Sequence, residues 1–115
     1  MSTNSYPLLF SSTMLTVSDA TVYEVPDTPI TLTLQDLTLK LTNVTAATAT
    51  ASIYAVDAGG SASPANAAAL DISVPAKDFI LIPAPRLAAG STISASASSD
   101  NAISIQAVTG KLHTL

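Results

Sequence analysis

Residues 30–44 read ITLTLQDLTLKLTNV, and their alternation of apolar and hydroxyl side chains decides the fold class. Ile30, Leu32 and Leu34 alternate with threonines, which is the pattern of a β-strand with one buried face. Threonine at alternating positions suits a pleated surface, so the same residues disfavour a helix. We therefore predict a strand here, packed on one side against the rest of the protein.

The alternation changes phase in the middle of this stretch. After Gln35-Asp36 the leucines resume at positions 37, 39 and 41, one position out of step with Leu34. A shift of one residue turns every following side chain to the other face of the sheet. A β-bulge at Gln35-Asp36 would return these leucines to the core, and so would a strand that crosses between two sheets. Either alternative requires a sandwich or a barrel.

Short runs of the same kind are spread along the chain, separated by turn residues. The first two, 14–17 and 21–25, resemble a strand pair joined by residues 18–20, and prolines interrupt the ladder within 26–29. Further strands are predicted at 48–56, 70–74, 79–82, 92–98 and 103–108. Residues 99–101 are predicted to form a tight hairpin turn between the last two strands. This spacing predicts an all-β fold, a single antiparallel β-sandwich of jelly-roll or Ig-like type.

The stretch YAVDAGGSASPANAAALD, residues 54–71, connects two of these strands. Glycine adopts a positive φ at little cost, so Asp57 to Gly60 is predicted to be the exit turn. Ser63 followed by Pro64 predicts one short helical turn near residues 63–69, with Ala65 to Ala69 as its body. A phosphate-binding loop is disfavoured, because no lysine follows the glycines and no βαβ pattern surrounds them. We interpret the stretch as a sandwich crossover.

The chain of 115 residues is long enough for one domain with a sizeable core. Residues 30–115 are predicted to form the sandwich core, and residues 1–29 an N-terminal arm or edge strands that reach a neighbouring molecule. The beginning of the chain lacks the basic region and long apolar run of a signal peptide, so we expect synthesis in a host cytoplasm. No segment approaches the roughly 20 apolar residues of a membrane helix, and no membrane partner is expected.

Charged residues make up only 10% of the chain, against roughly 25% in a typical soluble protein. Such a surface can be buried against another protein without desolvating unpaired ions. The four Lys and Arg residues are scattered and the net charge is −4, so the cation cluster needed to bind nucleic acid is missing. Thr-rich strands with few charges also leave sheet edges that can pair with another chain. We expect a homo-oligomer, such as a trimer.

No group of residues in the sequence predicts catalysis, a metal site or a cofactor. The chain lacks cysteine, its one histidine is His113 near the end, and its carboxylates are well separated and mostly at turns. Asn43-Val44-Thr45 matches a glycosylation sequon, which we interpret as chance in a chain without a secretory signal. Tyr6, Tyr23 and Tyr54 could contribute to a sugar-binding platform. A carbohydrate- or receptor-binding module is therefore an alternative to an assembly role.

Four motifs follow one another beyond Leu37: LTNVTAATATASIYAV, AGGSASPANAAAL, ISVPAKDFILI and LAAGSTISASASSDNAISIQAVTG. In this order they resemble the small β-sandwich virion structural proteins of tailed bacteriophages. The corresponding family patterns are a strand pair around LTNT, a GG-x-A-x-x-AN loop, a VPAGET turn and an AGDTI strand followed by NAV. The chain departs from them at Lys77-Asp78, where Gly-Glu is usual, and at Pro83-Ala84-Pro85.

The resemblance implies a non-enzymatic virion component without a cofactor. Its leading form is a capsid decoration or cement protein that binds the major capsid protein and stabilises the particle, and the alternative is a neck, tail or fibre accessory protein. The expected partners are further copies of the chain and the major capsid protein or other virion proteins. The candidate contact residues are Tyr6, Leu8, Leu9 and Phe10 in the arm, and Asp57, Gly59, Gly60, Ser63, Pro64 and Asn66 in the loop.

Overall fold

The computed structural model describes residues 5–7, 12–25 and 32–114. These residues form β-strands, with one 3-10 turn, Pro64–Asn66, between the fifth and sixth strand. The strands are β1 Ser5–Pro7, β2 Thr13–Met14, β3 Ala20–Glu24, β4 Leu32–Asn43, β5 Ala49–Val56, β6 Ala67–Val74, β7 Phe79–Pro83, β8 Thr92–Ala97 and β9 Ile103–Thr114. The predicted all-β fold is confirmed.

The strands form two antiparallel sheets that pack face to face. Sheet A has the order β1/β2–β9–β4–β7, in which β1 and β2 pair with different parts of β9, and sheet B has the order β3–β8–β5–β6. When the strands β2 to β9 are renumbered from one to eight, sheet A has the order 1–8–3–6 and sheet B has the order 2–7–4–5. This is the strand arrangement of a jelly roll. Of the two predicted sandwich types, the jelly roll is therefore the observed one.

Two predicted hairpins are absent from the sheets. The strand β2 pairs with β9 and β3 pairs with β8, so residues 15–19 cross between the sheets. The strands β8 and β9 also lie in different sheets, and residues 98–102 form an arch with Asn101 at a φ of 59°. The reverse holds after β5: β5 and β6 pair with each other, so the predicted crossover is a hairpin loop. Turn residues predict where the chain reverses, but long-range packing decides which sheet it enters.

The phase change in β4 is accommodated within sheet A. The strand pairs with β9 on both sides of Gln35-Asp36, with a register irregularity between Gln35 and Thr38 and with Asp36 at a φ of 55°. The leucines at 34, 37, 39 and 41 are all buried. The predicted bulge is confirmed, and the alternative of a strand that crosses between sheets is wrong.

The same phase change affects the neighbouring chain segments at this level of sheet A. On β9 the buried positions shift phase between Ala107 and Leu112, and beyond β7 they shift between Ile82 and Leu87. Leu34 pairs with both Leu112 and Leu87, so the three segments remain aligned past the bulge. The shift on β9 lies beyond residue 108, where the strand was predicted to end. Because the segments shift together, sheet A keeps one apolar face along its length.

Large and small side chains are distributed unequally between the two halves of the core. Sheet A contributes mainly leucine and isoleucine, whereas sheet B contributes alanines at 49, 51, 95 and 97. Small residues opposite large ones allow the sheets to pack closely. Leu15 and Val25 are also buried in this core. The division of the chain at residue 30, and the reach of residues 1–29 to a neighbouring molecule, stay predictions.

The bulge conformation can be tested by substitution at Asp36. Asp36→Gly should leave the free energy of unfolding unchanged or raise it by up to about 1 kcal/mol, because glycine adopts a positive φ without a Cβ clash. Asp36→Val should lower it by about 1–2 kcal/mol, since a β-branched residue is strained there. The matched control Thr38→Val, on the same strand, should change it by less than about 0.5 kcal/mol. Chemical denaturation measures all three, and equal effects of valine at 36 and 38 would contradict the bulge.

Candidate contact surfaces

The loop between β5 and β6 begins with a tight turn that needs its two glycines. Gly59 has a φ of 79°, and the Gly60 N–H donates to the Asp57 carbonyl oxygen at 2.9 Å. A Cβ on Gly60 would lie 3.1 Å from the same oxygen. The first glycine is required for its backbone conformation, and the second for the space it leaves. The predicted exit turn is confirmed.

The helical turn in this loop is shorter than predicted. It covers Pro64–Asn66, and the next residue begins β6, so the predicted helical body up to Ala69 is wrong. The Asn66 Oδ1 atom accepts the Ser63 N–H at 3.1 Å, and its Nδ2 atom donates to the Ser61 carbonyl oxygen at 2.9 Å. The amide side chain of Asn66 is thus occupied within the loop, and it closes the helical turn.

The tip of this loop lies beside a second turn at the same end of the sandwich. A Cβ on Gly90, whose φ is 80°, would lie 3.1 Å from the Ala58 Cβ atom, so the loop packs closely on the turn at 88–91. Asp57, Gly59, Gly60 and Pro64 are exposed, whereas Ser63 and Asn66 are half-buried. The structure therefore brings the predicted loop residues together in one hairpin loop. Their contact with a neighbouring subunit stays a prediction.

The N-terminal candidates are described only in part. Tyr6 lies on β1, opposite Leu112 of β9 at the edge of sheet A. Leu8, Leu9 and Phe10 lie outside the described residues. Tyr6 therefore lies at the border of the sandwich, and its contact with another subunit stays a prediction.

Asn43 is a buried hydrogen-bonding centre that links the two sheets. Its side chain is only 1% exposed. The Nδ2 atom donates to the carbonyl oxygens of Ala47 at 2.8 Å and Val74 at 3.0 Å, and Oδ1 accepts from the N–H and the hydroxyl of Thr45 at 2.9 and 2.7 Å. These bonds use both donors and both acceptor sites of the amide. The sequon residues Asn43 and Thr45 therefore serve the fold.

Replacement of Asn43 should destabilise the protein strongly. Asn43→Ala leaves the Val74 carbonyl and the Thr45 N–H without their side-chain partner, so the free energy of unfolding should fall by about 2–4 kcal/mol. Thr48→Ala, an exposed position in the same connection, is the control and should change it by less than about 0.5 kcal/mol. Thermal and chemical unfolding measure the difference. If the two variants were equally stable, the linking role of Asn43 would be wrong.

The outer face of sheet A exposes large apolar side chains. Two rows of outward-facing residues cross the sheet, with Met14, Ser104, Thr42 and Phe79 in one row and Gln106, Lys40 and Leu81 in the next. Phe79 and Leu81 are 50% and 52% exposed, and the Lys40 Nζ atom lies 4.6 Å from the centre of the Phe79 ring. We call Phe79 and Leu81, which are neighbours on this face of β7, the apolar patch; Met14 lies at the other end of its row, beyond Ser104 and Thr42. An edge strand that is apolar at every position is the sequence signal for such a patch.

The free edge of β7 is poorly suited to pairing with another strand. The Ala84 N–H donates to the Leu37 carbonyl oxygen, and antiparallel alternation from there directs the backbone groups of residues 79, 81 and 83 away from β4. The outward N–H of Phe79 bonds to the Asp78 carboxylate at 2.7 Å, and Pro83 has no N–H. One outward donor therefore remains on this strand. The expectation of an open edge fails here, and a contact on this side favours side chains over strand addition.

A recess of about 630 Å³ opens in the outer face of sheet A at the level of the bulge. Its polar lining includes Gln35, Asp36, Thr38, Arg86 and Lys111. Arg86 and Lys111 are two of the four cationic residues in the chain, and neither forms an ion pair with a described carboxylate. In the sequence these two cations are far apart and were predicted to be scattered. They lie near each other because strand pairing brings position 111 opposite position 35.

The tyrosines of sheet B face opposite sides of the sheet. Tyr23 pairs with Ile93, packs against the core, and burial raises the pKa of its phenol. Tyr54 is buried and pairs with Ser94, at an outward position of β8. Tyr23 and Tyr54 therefore do not share one exposed aromatic platform of the kind considered for sugar binding.

Two kinds of site are absent from the described part of the chain. No three His, Cys, Asp or Glu side chains within it converge in an arrangement that could hold a metal ion. None of its helices has the length and apolar character needed to span a bilayer. His113 lies on β9, where its backbone pairs with Ser5 and Thr33, so this position near the end of the chain is part of a sheet.

Comparisons with known proteins give little similarity. No protein family and no curated protein sequence matches the chain. Among solved structures, the chain is similar to a chain in the structure of infectious bursal disease virus Gx strain, with 17% sequence identity and a TM-score of 0.46. The alignment covers 98% of this chain and 32% of that chain, so this chain spans about a third of its length. A similarity at this level carries no functional information.

Proposed function

We propose that the chain is a non-enzymatic structural protein of a tailed-bacteriophage virion, in the leading form a decoration or cement protein that binds the major capsid protein. The observation that carries the proposal is the apolar patch of Phe79 and Leu81, exposed on a chain with only 10% charged residues. Exposed apolar side chains rimmed by polar residues mark protein contact sites. Aromatic residues are also enriched in protein–protein interfaces, whose cores are depleted of charge.

The positions that carry the motif resemblance support the same proposal at the level of the fold. Gly59 and Gly90 have a positive φ, and Asn66 closes the helical turn. Lys77 has a φ of 56° at the position where the phage family has glycine, so the backbone fits the family pattern even where the residue departs from it. The motifs thus describe a jelly roll, an architecture found in viral capsid and lectin domains. Fold likeness alone is an analogy, and the patch supplies the contact chemistry.

Further copies of the chain and the major capsid protein are the proposed partners, and the virion is the proposed location. The N-terminal arm and the loop at 57–66 would extend the contact beyond sheet A. A neck, tail or fibre position remains the alternative, in which the same surfaces bind a different virion protein in fewer copies.

The apolar patch can be tested by making it polar. The double variant Phe79→Ser, Leu81→Ser should bind particles lacking the protein at least about tenfold more weakly, because burial of each side chain contributes on the order of 1–3 kcal/mol. Val17→Ser removes an exposed apolar side chain outside the patch and should bind like the wild type. Co-sedimentation with the particles measures binding. Equal retention of both variants would contradict the patch as the contact.

The arm can be tested by deletion of residues 1–12. The truncated chain keeps β2 and the buried Leu15, so it should fold with a cooperative thermal transition. It loses β1 and the arm candidates, and its retention on purified particles should be abolished. An unchanged copy number on the particles would contradict a role for the arm.

A second candidate function rests on a groove of about 220 Å³ in the outer face of sheet B. Its lining includes Thr50, Ser52, Asp71, Ser96 and Ser98, whose oxygens could bond to sugar hydroxyls. Jelly rolls also occur in lectin domains, which favours a carbohydrate-binding module as the rival. Binding of the isolated domain to a glycan array without co-sedimentation on particles would decide for this rival, and the opposite result for the structural role.

A further inference from the structure

The charged side chains on the two outer faces of the sandwich differ in sign between the faces, whereas those at 19, 57, 77, 78 and 100 lie between strands. On sheet A, Lys40 faces outward opposite Leu81, and Lys111 faces outward opposite Gln35. Arg86 lines the same recess as Lys111, together with the carboxylate-bearing Asp36. The outer side of sheet A, with the adjoining edge of β7, therefore carries three cations against two carboxylates, Asp36 and Asp78, which leaves one positive unit.

The outer face of sheet B carries the opposite sign. Glu24 is exposed and pairs with Thr92, which alternates with the buried Ile93 and so faces outward. The Asp71 carboxylate lies 3.4 Å from the hydroxyl of Ser52, another outward position of this sheet. No cation of the described chain lies on this face. The remaining one, Lys77, is in the turn before β7, where its Nζ atom donates to a carbonyl oxygen of the connection after β4.

These charges are available to a partner. None of the described Lys and Arg side chains forms an ion pair with a described carboxylate. Lys40 instead lies over the exposed ring of Phe79, at the centre of the sheet A face and beside the apolar patch. A basic face with an apolar edge at β7 and an acidic, hydroxyl-rich face thus form the two broad sides of the same molecule.

We infer that copies of the chain associate head to tail, with the outer face of sheet A of one copy against the outer face of sheet B of the next. The inference rests on the proposed assembly role and names the surfaces that meet. Two A faces would oppose like charges, as would two B faces, whereas an A face and a B face are complementary. The large side chains of Phe79 and Leu81 would pack on the accessible small outward side chains at 50, 73 and 96. Contacts between unlike faces form a closed ring when the rotation that relates successive copies returns to the first copy.

A charge-swap experiment tests this arrangement. Lys40→Glu and Glu24→Lys each reverse one charge on one face, and each alone should weaken self-association at least about tenfold, measured by sedimentation velocity at low salt. An equimolar mixture of the two variants should recover association, because the altered A face of one meets the altered B face of the other. The double variant, which carries both Lys40→Glu and Glu24→Lys on one chain, should recover self-association without being mixed with a second variant.

Matched controls separate the effects of net charge and of folding from the effect of the contact itself. Lys77→Glu has the same charge change as Lys40→Glu, and Asp19→Lys approximates Glu24→Lys, but both lie off the two faces and should associate like the wild type. Lys40→Gln should weaken association less than Lys40→Glu. Circular dichroism and thermal unfolding establish that each variant is folded.

Several outcomes would overturn the inference. They are a monomeric wild type at all concentrations, reversals that do not weaken association, and a mixture that fails to recover it. Recovery in a mixture of Lys40→Glu with wild type, but not with Glu24→Lys, would indicate contact between like faces. Self-association as expected, without co-sedimentation on particles, would uphold head-to-tail contact and defeat the proposed virion role. Co-sedimentation of a chain that never self-associates would do the opposite.

Discussion

The sandwich depends on β4 keeping its leucines on the core face along the whole strand. A strict two-residue repeat from Leu34 would turn the leucines at 37, 39 and 41 to solvent. Burial of each leucine contributes about 1.5–3 kcal/mol, whereas one residue in the left-handed region costs roughly 1–2 kcal/mol. The left-handed conformation of Asp36 therefore costs several kcal/mol less free energy than exposure of the leucines at 37, 39 and 41 would. The segments that flank β4 take the same phase change, and the recess that holds Arg86 and Lys111 lies where they do so. The bulge thus lies beside two of the three cations on the outer side of sheet A.

Local patterns predicted the fold class, most strand positions and the bulge, because alternation and phase depend on neighbouring residues only. They did not predict which strands pair: residues 18–20 and 99–101 read as hairpin turns, yet both connect different sheets. The loop at 57–66 read as a crossover and is a hairpin. Nor could they show that Lys40, Arg86 and Lys111 share one side of the sandwich, since that follows from non-local register. The patch was missed for a similar reason, because an apolar strand such as β7 reads as buried until its place at the sheet edge is known.

The motif residues determine the fold of this protein, whereas its surface side chains determine which partners it can contact. The residues that resemble the phage family form turns, close a helical turn or link the sheets, as the buried amide of Asn43 does. They specify the jelly roll and are compatible with many partners. Partner contact depends on side chains that the motifs do not emphasise, in particular Phe79 and Leu81 and the charges on either face. A low-charge chain can bury such faces at small desolvation cost, and the few charges that remain can orient the contact.

The proposed role requires that this chain be a stoichiometric part of a virion. Quantitative mass spectrometry of gradient-purified particles of the proposed source phage tests this role, with the major capsid protein as the internal standard. A decoration protein should be present in a fixed ratio to the major capsid protein, with many copies per particle, and a neck, tail or fibre protein in a small fixed number. Absence of the chain from purified particles, or an amount that varies between preparations and falls with further washing, would contradict the account.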